Sequence, residues 1–147
     1  MINMARNKQL ITSNNNFKPS LPHWAVLFYA SAAALLIPWT IYLSMTLPTR
    51  QITQHWDLVW WGFDCLVIMA MVLTAYFIAK KSVWVILTSS SLGTCLMIDS
   101  WFDVLTSRRG HDLFQSILLA LFVELPVAIL SWYFAIVTAH QYAKDSL

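Results

Sequence analysis

Four stretches of this chain are almost free of charge and long enough to cross a lipid bilayer, and that property restricts the fold more than any other. They run approximately over residues 24–47, 58–79, 83–105 and 113–138. Crossing about 30 Å of hydrocarbon takes about 20 helical residues. In lipid every backbone N–H and C=O must be satisfied internally, which leaves helices or closed barrels, and uninterrupted apolar runs without period-2 alternation select helices. The expected fold is an all-α membrane protein, a four-transmembrane-helix bundle. Composition agrees: 59% hydrophobic against 11% charged residues, with a mean hydropathy of +0.61, lies outside the range of soluble domains. A net charge of +2 is too small to point to a nucleic-acid partner.

The connections are short. Lys80, Lys81 and Ser82 leave so little chain between the second and third spans that these two must be antiparallel neighbours. Residues 1–22, largely polar and without hydrophobic periodicity, are expected to be a retained, flexible N-terminal arm rather than a cleaved signal. Residues 140–147 form a short C-terminal tail, and the transmembrane domain covers residues 23–139. Arg6, Lys8, Lys18, Lys80, Lys81 and Lys144 fall on one side of the bundle, against Arg50, Arg108 and Arg109 on the other. Excess basic charge marks the cytoplasmic side, so both termini are expected there. On that assignment Trp24 and Trp84 lie at the inner boundary, and Trp56, Trp60, Trp61 and Trp101 lie towards the outer one.

Of the seven acidic residues, Asp64, Asp99, Asp103 and Glu124 lie inside spans that hold no Lys or Arg. A carboxylate at membrane depth costs about 3 kcal/mol on insertion scales, so such groups face a bundle interior or a wet cavity and commonly mark function. At 1.5 Å per residue, Asp64 and Asp99 lie roughly 9 Å from the outer ends of their helices, Asp103 about 3 Å and Glu124 about 16 Å. Asp64 and Asp99 are therefore level on neighbouring helices. In the third span Ser91, Cys95, Asp99 and Asp103 follow one another at i, i+4 spacing, a polar stripe along one face, with Thr88 and Thr94 nearby. In the fourth, Pro126 has no backbone donor, which frees the carbonyl of Phe122 one turn before it and predicts a kink beside Glu124, with Ser131 two turns after that carboxyl.

Several carboxylates in a confined space do not all stay ionised unless cations accompany them. Three readings follow. In the first, Asp64, Asp99, Asp103 and Glu124 form an outward-facing pocket that binds and moves a cation or proton; oxygen ligands suit a hard divalent ion or H⁺ better than a soft metal. In the second, the acids hold helices together or recognise a partner in a non-transporting membrane subunit or scaffold, with Asp103 pairing to Arg108 or Arg109. In the third, the site takes an organic cation on the faces of Trp60, Trp61 and Trp101. A small membrane enzyme using paired carboxylates is a further alternative, although GxSxG, HExxH and a phosphate-binding glycine loop are all missing. His55 and His111, in the outer loops, are candidate nitrogen ligands or pH-sensitive groups above the acids. The expected partners are the lipid bilayer and a second copy or another membrane protein, since four short helices enclose little space alone.

Other features read as structure. Cys65 and Cys95 lie in apolar segments and behave there as small hydrophobes. Pro38, flanked by Ser31 and Tyr42, marks a kink in the first span, and the pairs Ala30 with Ala34 and Ser89 with Gly93 have the spacing of close helix contacts.

The runs WWGFDCL at residues 60–66, GTCLMIDSWFDVLT at 93–106 and ELPVA at 124–128 resemble a group of small bacterial four-span membrane proteins to which no activity is assigned. The resemblance covers roughly residues 56–138. It implies a bacterial origin and a multi-pass place in the inner (plasma) membrane, and nothing about mechanism.

Overall fold

A computed structural model describes residues 17–46 and 55–145. These form α1 (Trp24–Thr46), α2 (Trp56–Ala79), α3 (Val85–Thr106), α4 (His111–Leu119), a π-helical turn (Ala120–Glu124) and α5 (Leu125–Asp145). The last three run on as one span, so the molecule is a bundle of four helices each long and apolar enough to cross a membrane. The expected segments survive almost unchanged, with one extension: the fourth span covers 35 residues, His111–Asp145, and exceeds what a bilayer needs.

Packing is inside-out relative to a soluble bundle. Large apolar side chains such as Leu27, Leu35, Phe122 and Ile129 lie on the outside, where lipid is their natural solvent. The interior is built largely from small or hydroxyl-bearing residues. α1 packs most extensively on α2, and α3 on the fourth span, with α2 against α3 between the two pairs. The α2–α3 turn is tight, with Lys81 in the left-handed region at φ 50°.

Ser89 and Gly93 do mediate close packing, as their spacing suggests. Ser89 donates from its hydroxyl to the carbonyl of Ser131, and a Cβ on Gly93 would stand 2.7 Å from the Trp132 ring and 2.9 Å from the Ala128 carbonyl oxygen. Ala30 and Ala34 do not: both are exposed, and the first helix uses Ala25, Tyr29, Ala33 and Thr40 as its buried stripe. Pro38 also faces outward, within an uninterrupted helix.

The arm differs from expectation where it is described. Pro19 is buried, Phe17 meets Tyr142 edge-on at 5.1 Å between ring centroids, and the Ser20 N–H donates to Gln141 Oε1 at 2.9 Å. The extra turns of α5 are what this segment docks on; residues 1–16 lie outside the described residues.

Towards the α2–α3 turn, Tyr29, Val67, Val85, Leu92, Leu96, Ala128 and Phe134 belong to one buried cluster. Within it the Tyr29 hydroxyl bonds the Ser131 hydroxyl at 2.8 Å. Buried hydroxyls run through both ends, with Thr74, Thr88, Ser89, Ser131 and Thr138 around this cluster and Thr40 and Ser100 towards the other end, where the buried Asp64 carboxyl joins them.

Candidate functional site

The acids sit on the stripes that build the core, one turn further from the α2–α3 turn. Asp64 precedes buried Val67 by three positions, Asp99 follows buried Leu96 by three, and Glu124 precedes buried Ala128 by four. Helical periodicity therefore turns each carboxyl inward, just beyond the apolar cluster. Asp64 is the most enclosed, at 6% exposure, and accepts a hydrogen bond from Thr40 Oγ1 at 3.0 Å across the α1–α2 interface. Asp99, Asp103 and Glu124 are half-buried.

The four expected carboxyls lie within electrostatic range of one another without converging on one point. Asp99 lies close enough to interact electrostatically with Asp103, Glu124 and Asp64, and Asp103 and Glu124 likewise interact with Asp64. Ser100 stands beside Glu124, while its hydroxyl donates to the Leu96 carbonyl at 2.8 Å. Glu124 Oε2 is buried with no hydrogen-bond partner among the described residues.

Glu124 owes its place to the π turn. The Leu125 N–H reaches back to the Ala120 carbonyl, five residues earlier, so the helix takes in one extra residue immediately before Pro126. Such turns shift the backbone bonding by one residue next to a proline that lacks a donor, and they recur at functional sites. Above the turn, α4 buries no residue at all. It is tied to the end of α3 by a hydroxyl pair, Ser107 with Ser116, and by the bond from the Leu113 N–H to the Arg108 carbonyl.

Between α4 and the ends of α1, α2 and α3 lies a cavity of about 400 Å³. Asp103 lines it, and so do Trp39 and Tyr42 of α1, Trp56 and Trp60 of α2, and Arg108, Asp112, Gln115 and Ser116. The aromatic expectation is thus half corrected. Trp60 is at the site; Trp61 and Trp101 are 46% and 63% exposed on the outer surface and line nothing here. His55 and His111 are exposed and do not line the cavity either. No ion pair joins Asp103 to Arg108 or Arg109 among the described residues, although Arg108 borders the same cavity. Nor, among the described residues, do three of His, Cys, Asp and Glu converge closely enough to hold a metal ion. Cys65 is exposed and Cys95 half-buried, both as free thiols.

Sequence reasoning missed Thr40, Ser100, Trp39 and Trp56. Thr40 and Ser100 extend the buried stripes of their helices, seven residues beyond Ala33 and four beyond Leu96, so a polar residue on an apolar stripe was the available signal. No protein-family model, curated protein or solved structure matches the chain.

Proposed function

We propose that this is a membrane protein that binds a cation or proton at Asp64, Asp99, Asp103 and Glu124 and moves it across the bilayer. The observation that carries the reading is Glu124 Oε2, a buried acceptor without a partner among the described residues, inside a set of interacting carboxyls with no Lys or Arg in residues 58–79, 83–105 or 113–138. An oxygen in that position is stabilised by a proton on it or a cation beside it. A caged divalent metal has no support, because the described residues offer no three convergent ligands. A proton or a singly charged cation fits better.

The test is flux in liposomes. With the protein reconstituted, a pH-sensitive dye inside and an imposed gradient, Asp99→Asn and Glu124→Gln should abolish proton or cation flux while leaving the helical circular dichroism unchanged. Undiminished flux in both variants would end the proposal.

A second reading, the acids as helix-to-helix ties in a scaffold, draws on the Thr40–Asp64 bond. It expects no flux in the wild type and loss of assembly in the same variants. The orientation with cytoplasmic termini rests on the count of basic residues, and the bacterial inner-membrane setting on the resemblance of residues 56–138. Thiol labelling of a Ser82→Cys variant from outside intact cells should fail if the orientation is right. Association with a second copy or another membrane protein belongs to the same proposal; cross-linking in native membranes tests it.

A further inference from the structure

The cavity above the acids is far larger than a proton or an alkali ion requires. At about 400 Å³ it falls in the range of small-molecule sites. Its walls divide by chemistry. Trp39 and Tyr42, 5.8 Å apart by ring centroid, come from α1, and Trp56 and Trp60, 5.6 Å apart, come from α2. Facing elements supply Asp103 from α3 and Asp112 from α4. Aromatic surface with carboxylates at its rim is the chemistry that binds an ammonium group carrying an alkyl shell: the rings attract the diffuse charge and accept the methyls, and the carboxylate neutralises it.

We propose that this cavity binds an organic ammonium ion, with the Asp103 and Asp112 carboxylates as its counter-charges. The inference rests on the cation reading of the acids and narrows its ligand class. Arg108 also borders the space and favours a ligand whose cation is accompanied by a nearby anionic group, as in a zwitterion. The ammonium group can arrive free in solution or as a choline lipid headgroup, and the chemistry in the cavity is the same.

Titration calorimetry of the full chain in maltoside micelles distinguishes the possibilities, with tetramethylammonium as probe and tert-butanol as an uncharged counterpart of similar shape. Saturable binding of tetramethylammonium and none of tert-butanol is expected. Asp103→Asn and Trp60→Leu should each weaken it about tenfold, the scale of one charge pair or one desolvated cation–π contact. Trp61→Leu, on the outer surface, should leave it unchanged and controls for general damage. Tighter binding of a short-chain phosphatidylcholine than of tetramethylammonium assigns the headgroup as source, and the reverse order assigns the free ion. Equal binding of tert-butanol, or equal loss in Trp61→Leu, overturns the inference. If tetramethylammonium fails to bind while flux still depends on Asp99 and Glu124, the ligand class is wrong and the cation reading stands. If both fail, the cation reading falls as well.

Discussion

Gly93 sets how closely α3 and α5 approach. A methyl group there would meet the Trp132 ring at 2.7 Å and the Ala128 carbonyl at 2.9 Å, and the carbonyl belongs to a helix that cannot swing aside like a side chain. Gly93→Ala should therefore cost about 1–3 kcal/mol despite alanine's better helix propensity, the usual range for overpacking. Reversible unfolding in mixed micelles reads this directly, and a stabilised variant would contradict it. The Thr40–Asp64 pair gives a second comparison. Asp64→Asn keeps an oxygen for the Thr40 hydroxyl, whereas Thr40→Val strands the buried carboxyl and should destabilise by about 1–3 kcal/mol, more than the Asn variant. The opposite order in the same unfolding assay would mean that the bond is dispensable. The position of each acid along its helix was legible in the sequence, because rise per residue converts residue number to height on the helix axis. Direction around the helix was not. The outside of a membrane bundle is as apolar as its core, so Trp61 and Trp101, at the right height, looked equivalent to Trp60 although they face lipid.

The existence and order of the four spans were readable because hydrocarbon demands length, and length is visible in a string of letters, while the end of the fourth lies seven residues beyond the expected one. The π turn was not. Pro126 announces a missing donor, but whether a helix answers by kinking or by taking in an extra residue is decided by how its neighbours pack. Here the extra residue separates the register of α4 from that of α5. Deleting Phe122, whose side chain is 74% exposed, should convert the turn to ordinary α-helix and rotate α4 by about 100° against the bundle. The contact between Ser107 and Ser116 reports the change. A disulfide engineered as Ser107→Cys with Ser116→Cys should form in the full-length chain and fail after the deletion. Equal formation in both would show that the turn does not set the position of α4.

At the scale of the molecule, the boundary between the acid layer and the cluster of Val67, Leu92, Leu96 and Ala128 has an electrical meaning. A charged species leaving the carboxyls towards the α2–α3 turn meets the side chains of Val67, Leu96 and Ala128 before it reaches the buried hydroxyls of Ser89, Ser131 and Tyr29. At about 1.5 Å of rise per residue, the distance from Glu124 to Ser131 is roughly 10 Å, too far for a single proton hop. Between the carboxyls and those hydroxyls the bundle in this conformation is thus an insulating step. Planar bilayers containing it should show no unitary current steps, and any charge it carries should move at a saturable, one-at-a-time rate set by how often the helices rearrange.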